Sequence, residues 1–220
     1  MIVKLVYRIK MVALIASMLC TSAYALTDAP PPIKNATSSA SGEFTLQRGM
    51  SDHDFRVSSE LEAAYNMARE YIAQGDQIKG LTLLQDSADA GHFLAMHDLG
   101  LLFRQANTKE TLEAAAVWYR RAAEWRGIGF SGSQNNLGDM YETGEGLSKS
   151  PGDAIYWYTR SALQGEPTAY LSLGSCFANG VGVGKDVVEA YFWLTLAARD
   201  LGAGKNKNTA IKHAMRLRRR

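Results

Sequence analysis

The sequence predicts an all-α protein, a right-handed α-solenoid of about four antiparallel helix pairs, and three recurring features lead to this prediction. A Leu-Gly dipeptide, a tryptophan and a pair of small residues each return at nearly constant spacing: Leu99, Leu137 and Leu173; Trp118, Trp157 and Trp193; Ala122, Ser161 and Ala197. Successive copies lie 36 to 39 residues apart. Such periods are typical of helical repeats, in which each helix pair buries its apolar stripe only against its neighbours.

The first 25 residues predict a secretory signal peptide. Three basic residues precede a ten-residue apolar core, Met11 to Cys20, and the segment ends in the small-x-small site Ala23-Tyr24-Ala25. A membrane-spanning helix needs about 20 apolar residues, so this core is too short for one. We therefore expect an exported protein, in the periplasm of a Gram-negative bacterium or secreted. The alternative is an uncleaved membrane anchor.

Residues 26–58 predict a disordered linker, because they are rich in Pro, Ser, Ala and Thr and show no sustained periodicity. The run Asp52-His53-Asp54 lies here. Three adjacent side chains point in different directions, so we interpret this run as a solvated loop and not as a metal site.

After cleavage at Ala25 the only cysteine is Cys176, which excludes an intramolecular disulfide. We expect it to be a small buried hydrophobic residue.

The repeat domain is predicted over residues 59–204, with units at about 59–94, 95–132, 133–168 and 169–204. In the third unit Leu137, Gly138 and Tyr141 share a helix face, and the glycine forms a notch that lets a neighbouring helix backbone approach. Gly144 is expected to end this helix in a left-handed conformation. The second helix then begins with Ser150 as N-cap and Pro151 at its first position.

The aromatic residues at repeat positions are interpreted as core, and Trp125, which stands outside the register, is expected to be more exposed.

Residues 205–220 contain seven basic residues and no acidic residue. We predict a basic C-terminal capping helix, with Ile211, Met215 and Leu217 near helical spacing on its apolar side. The alternative role of this tail is contact with an anionic membrane surface.

These residues resemble the Sel-1-like repeat, a relative of the tetratricopeptide repeat. The third unit carries the pattern best, as LGDMYETGEGLSKSPGDAIYWYTRSALQG, and the fourth is nearly as good. The second unit has Arg104 to Asn107 in place of the glycine loop, and the first has Leu83 in place of tryptophan. The resemblance covers roughly residues 59–204. It implies an interaction scaffold, commonly exported or membrane-associated, whose inner face binds partners through the first helices.

If the units stack like tetratricopeptide units, first-helix positions −2, +2 and +5 from the repeat leucine line a concave groove. The predicted groove is apolar and positive at its N-terminal end and acidic in the middle, which suits an extended peptide or a partner helix. The alternative is that these residues only face water. The predicted groove residues are Tyr65, Arg69, His97, Leu101, Arg104, Asn135, Asp139, Glu142, Leu171 and Ser175.

No motif indicates catalysis, a cofactor or a metal. The loop from Gly180 to Lys185 fails as a phosphate loop, because Asn179 stands where a glycine is required and Asp186 replaces the Ser or Thr. The histidines show no metal-ligand spacing. Between residues 26 and 204 the net charge is −8, which disfavours nucleic acid as a partner.

The sequence therefore predicts a non-enzymatic protein–protein interaction scaffold that organises or regulates a cell-envelope complex. The alternative is a protein that binds or hydrolyses cell-wall material, peptidoglycan or β-lactam. Some exported members of similar repeat families are linked to that activity, but they have a disulfide in each helix pair. The single Cys176 disfavours this alternative.

Overall fold

A computed structural model describes residues 57–218 of the chain. The signal peptide, nearly all of the linker and the Asp52-His53-Asp54 run lie outside the described residues, so the predictions about them are untested. Over the described part the chain forms nine α-helices, one short 3-10 turn (Trp125–Gly127) and no strand. The helices are α1 (Ser59–Ala73), α2 (Gln77–Asp89), α3 (Phe93–Ala106), α4 (Lys109–Ala123), α5 (Ser131–Thr143), α6 (Pro151–Leu163), α7 (Pro167–Asn179), α8 (Val187–Asp200) and α9 (Lys205–Arg218).

The helices form four pairs, α1/α2, α3/α4, α5/α6 and α7/α8. The second helix of each pair also packs against the first helix of the next pair, so every unit is held by its neighbours in the chain. This confirms the predicted α-solenoid of helix pairs. Helix α9 follows the last pair and packs against α8.

The repeated tryptophans lie in the core. Trp118, Trp157 and Trp193 are at most 4% exposed, and the small residues that follow them are fully buried except Ala198, which is partly buried. Trp125 is only partly buried, and its indole N–H donates to the carbonyl oxygen of Gly91 at 2.8 Å. Both expectations for the tryptophans are therefore confirmed.

The glycine notches in the first helices α3, α5 and α7 each accept a side chain from the paired second helix. A Cβ on Gly100 would lie 2.6 Å from the ring of Tyr119, and one on Gly138 would lie 2.6 Å from the ring of Tyr158. The prediction that these glycines permit close approach is confirmed. At both glycines the nearest atoms belong to the ring of the tyrosine that follows the repeat tryptophan, so a flat aromatic face lies against the notch.

The helix ends follow the sequence signals. Gly144 and Gly180 end α5 and α7 with φ of 85° and 76°, as left-handed residues should. Ser150 does precede Pro151 at the start of α6, but its side chain makes no capping hydrogen bond. Ser150 is nevertheless the N-cap of α6 as predicted, and its backbone N–H donates to the carbonyl oxygen of Tyr141 at 2.8 Å.

Helix α9 buries a different side from the one that its larger apolar residues suggested. Ala210, Ala214 and Leu217 are buried, whereas Met215 is 59% exposed and Ile211 is only partly buried. Ala214 and Leu217 pack against Ala190 and Leu194 of α8, where the small alanine side chains allow close contact. The expectation for Leu217 is confirmed and that for Met215 is wrong.

Candidate binding surface on the first helices

The ten predicted groove residues lie on the four first helices, α1, α3, α5 and α7, and we call them the inner strip. The structure joins successive first helices through them. His97 and Arg104 on α3 contact residues of the α5 unit, and Asn135 and Glu142 on α5 contact residues of α7. The inner strip is therefore a row of side chains that bridges neighbouring repeats.

An ion-pair cluster occupies the middle of the strip. The Nε of Arg104 donates to Oε2 of Glu145 at 2.9 Å, and its Nη1 lies 3.7 Å from Oδ2 of Asp139. All three side chains remain about one-third exposed. Burial raises the pKa of Asp139, although the hydrogen bond from Tyr158 and the charge of Arg104 act against this. The cluster fixes Arg104 across the boundary between the second and third repeats.

Tyr158 connects two carboxyl groups of the strip. Its hydroxyl oxygen lies 2.8 Å from Oδ1 of Asp139 and 2.8 Å from Oε2 of Glu142. Burial and the two carboxylates raise the pKa of Tyr158, so the phenol keeps its proton. The phenol thus stands as a donor between two acceptor side chains of the strip.

The third and fourth repeats contact each other through partly buried groups of the strip and its surroundings. Cys176 lies 3.8 Å from Oε2 of Glu142, and burial together with that carboxylate raises the pKa of the thiol to about 12. The thiol is thus protonated and unreactive, as expected for a buried structural cysteine. Asn135 is buried, and its Oδ1 accepts from the Ser172 hydroxyl at 3.5 Å. Leu171 packs against the core, whereas Ser175 is half-buried.

The N-terminal end of the strip is held by aromatic and polar contacts. The Tyr65 hydroxyl donates to Oδ2 of Asp98 at 2.9 Å, and the exposed Arg69 guanidinium lies 5.6 Å from the centre of the Tyr65 ring. Nδ1 of His97 lies 2.8 Å from the hydroxyl oxygen of Ser133. Burial lowers the pKa of His97, which keeps its ring neutral at pH 7.

The strip thus contains two kinds of residue. Tyr65, Asn135 and Leu171 are fixed within the fold, whereas Arg69 is exposed and Leu101 keeps 46% of its surface in solvent. Leu101 is the one member of the strip that is both apolar and exposed. It lies one helical turn from Arg104, so an apolar contact stands beside the ion-pair cluster.

Sequence reasoning missed three residues that shape this surface. Tyr119 and Tyr158 come from second helices, and Glu145 comes from the loop after α5. A signal for the tyrosines was present, since each directly follows a repeat tryptophan and faces a repeat glycine. Glu145 had no comparable signal, because its contact depends on how two units stack.

Residues 57–218 offer neither a metal site nor a membrane span. They contain no group of three or more His, Cys, Asp or Glu side chains placed to hold a metal ion. In the same part of the chain, every helix is too short or too polar to cross a bilayer.

Comparison with known proteins identifies the repeat. The family described as Sel1 repeat matches residues 61–92, 94–124, 131–166 and 167–200, more than half of the chain. No curated protein matches. The crystal structure of a Sel1 repeat protein from Oxalobacter formigenes is similar at 24% identity and a TM-score of 0.57, over 71% of this chain and 70% of that one.

A protective antigen of uropathogenic Escherichia coli strains with an SLR fold is similar at 25% identity and a TM-score of 0.59. That match covers 71% of this chain and 36% of the antigen, so this chain spans about a third of that protein. Four matched repeats in sequence and the same fold in solved structures lead to one conclusion. The chain belongs to the Sel1 repeat family, whose members are generally protein–protein interaction modules.

Proposed function

We propose that this protein is an exported scaffold that binds a protein or peptide partner along the inner strip and so organises or regulates a cell-envelope complex. One observation carries the proposal. Hydrogen bonds between successive repeats hold the polar side chains of the strip in place before any partner arrives. A surface that is already ordered loses little conformational entropy on binding, which favours recognition of an extended segment.

The charges of the strip suggest the chemistry of the partner. Asp139 and Glu145 contact the guanidinium of Arg104, and Glu142 shares the Tyr158 hydroxyl with Asp139, so carboxyl groups outnumber the one guanidinium. The exposed Leu101 stands on the same helix as Arg104. We infer a partner segment that packs an apolar side chain on Leu101 and directs a basic side chain towards the carboxyl groups. Ion pairs of this kind contribute to specificity and to the association rate.

Crosslinking in living cells, followed by mass spectrometry of the captured proteins, tests the binding surface. The informative variants are Leu101→Glu and Arg69→Glu, because both side chains are exposed and neither joins two repeats by an ion pair. Leu163→Glu is the matched control, since Leu163 is 41% exposed on α6 and lies outside the strip. We expect the wild type and the control to capture the same partner and both strip variants to lose it. Capture that survives Leu101→Glu and Arg69→Glu would refute the strip as the binding surface.

Export is supported by the sequence of residues 1–25 and is tested separately. Cell fractionation and N-terminal sequencing should find a protein that begins at Leu26 outside the cytoplasm. Replacement of Ala23 and Ala25 by Glu should block cleavage and leave the full-length chain in the membrane. A wild-type chain that retains Met1 and stays in the membrane fraction would favour the anchor.

Two other modes of action are distinguished by direct assays. Retention of the mature protein on isolated cell wall, or its acylation by labelled penicillin, would favour a cell-wall protein over a scaffold. For the C-terminal tail, Lys212 and Arg216 of α9 are exposed. Salt-sensitive sedimentation with anionic liposomes would indicate that these residues contact a membrane surface.

A further inference from the structure

A run of the chain outside the described residues matches the inner strip in its chemistry. We call residues 44–54 the linker segment. Small or uncharged polar residues and one histidine alternate in it with charged and apolar ones. Every second side chain of an extended strand points to the same face, so one face of this segment presents two carboxylates, apolar groups and a guanidinium. That face consists of Phe44, Leu46, Arg48, Met50, Asp52 and Asp54.

The inner strip carries complementary groups in a matching order. At its N-terminal end the guanidinium of Arg69 is exposed on α1. In the second repeat Leu101 keeps 46% of its surface in solvent on α3. In the third repeat Asp139 and Glu145 share the one guanidinium of Arg104. From α1 to α5 the strip is therefore positive, then apolar, then acidic, and the linker segment from residue 54 back to residue 48 is acidic, then apolar, then basic.

The lengths and the point of attachment agree as well. An extended chain rises about 3.3 Å per residue, so the six residues from Asp54 to Arg48 span about 20 Å. Packed helices lie about 8–10 Å apart, so the two steps from α1 to α3 and from α3 to α5 cover nearly the same distance. The segment joins the fold at Ser58, the N-cap of α1, four residues after Asp54. Arg69 lies about 16 Å further along that helix, which four extended residues and a long side chain can bridge.

We propose that the linker segment binds in extended form along the inner strip of its own chain and competes there with the protein partner. In this arrangement Arg48 pairs with the carboxyl groups of the third repeat, and Met50 packs on Leu101. The two aspartates of the segment pair with Arg69. The inference rests on the proposed function, because these are the basic and apolar contacts inferred for the partner. The segment and the partner therefore exclude each other.

The tether makes even a weak contact effective. A short flexible linker holds its segment at an effective concentration of about 1 mM. A segment with an intrinsic Kd of about 0.1 mM then occupies the strip about 90% of the time and weakens partner binding about tenfold. The scaffold is thus closed until a partner of higher affinity displaces the segment.

Photo-crosslinking within the purified mature protein tests this contact. A photoreactive phenylalanine analogue at Leu101 should form an adduct with residues 48–52 of the same molecule, located by mass spectrometry of the monomeric product. Arg48→Glu should lower the adduct yield about tenfold, because repulsion replaces attraction. Lys34→Glu is the matched control, since Lys34 is a basic residue of the same linker outside the segment, and it should leave the yield unchanged. Both substitutions precede the described helices, and circular dichroism should confirm that the repeats fold as before.

A charge exchange tests the register of the contact. Arg69→Glu should lower the adduct yield, and Asp52→Arg with Asp54→Arg in the same protein should restore it. An exchange that restores nothing would overturn the inference. So would a purified wild type without the adduct, an adduct that survives Arg48→Glu, or one that joins two molecules.

Capture of the partner in cells separates this inference from the proposed function. Arg48→Glu should raise partner capture from position 101 by up to about tenfold, since the competitor is lost, and unchanged capture would refute the competition. Partner capture in cells with no adduct in the purified protein would refute the inference alone. The adduct with no partner captured would leave the intramolecular contact standing and refute the proposed function.

Discussion

Replacement of Gly138 by alanine tests how the helix pairs are held together. The new Cβ would stand 2.6 Å from two ring carbons of Tyr158, well inside the ~3.5–4.0 Å of normal carbon contact. The ring has little freedom to move aside, because its hydroxyl is held by Asp139 and Glu142 at 2.8 Å each. The substitution should therefore push α5 and α6 apart or break the hydroxyl contacts.

The magnitude follows from two opposing effects. Overpacking of a close-packed site costs about 1–3 kcal/mol, and a ring held at its hydroxyl end places Gly138→Ala near the upper limit. Alanine is favoured over glycine inside a helix by about 1 kcal/mol, which offsets part of that cost. We expect a net loss of about 2 kcal/mol, equivalent to a fall in melting temperature of about 4–8 °C for a domain of this size.

Urea unfolding followed by circular dichroism measures this change. Gly152→Ala is the matched control, since Gly152 lies in the adjacent helix α6, where an added Cβ would meet nothing within 4 Å. The control should be unchanged or about 0.5 kcal/mol more stable, because only helix propensity acts there. A Gly138→Ala protein as stable as the wild type would refute the assignment of Tyr158 to the notch.

Three further predictions concern the inner strip and the thiol beside it. Arg104→Ala removes the partner of Asp139 and Glu145. It should lower the free energy of unfolding in urea by about 1–2 kcal/mol, with unchanged helix content. An unaltered urea midpoint would contradict the role of this ion pair between repeats. In the folded protein, burial lowers the pKa of His97 below its usual 6.5. As the pH falls, the unfolded chain therefore takes up the proton first. Stability that is present above pH 6.5 is lost as the pH falls through the lower folded pKa. The wild type should therefore lose more unfolding free energy than His97→Gln between about pH 7 and pH 5, and equal losses would contradict this. The Cys176 thiol, with a pKa of about 12, should resist Ellman's reagent at about pH 8 until the mature protein is unfolded, whereas rapid labelling of the native protein would show that the thiol is accessible.

The sequence was informative wherever a residue acts within its own repeat. Trp118, Trp157 and Trp193 had to be buried, because their period matches that of the helix pairs. Gly144 had to end a helix, because it alone supplies an unstrained left-handed residue at that point. Local propensity and repeat spacing therefore specify the helices and their pairing.

Contacts between repeats could not be predicted from the sequence in the same way. The pairing of Arg104 with Glu145 depends on the rotation between units, which no single repeat encodes. The sequence therefore predicted positive character at Arg104 but not the ion pair that neutralises it. The buried side of α9 was misjudged because apolar size suggested Met215, whereas close helix packing selects Ala210 and Ala214. Packing between repeats depends on the shapes of the assembled helix surfaces, which the sequence of a single repeat does not specify.

Photo-crosslinking from a single position tests the central claim most directly. A photoreactive phenylalanine analogue at Leu101 would stand in solvent on α3, and the same group at Leu163 would stand in solvent on α6. Under irradiation in cells, position 101 should form a covalent adduct with one protein partner, and position 163 should form none with it. Equal adducts from both positions, or a partner captured only from position 163, would contradict the inner strip as the binding surface of this repeat protein.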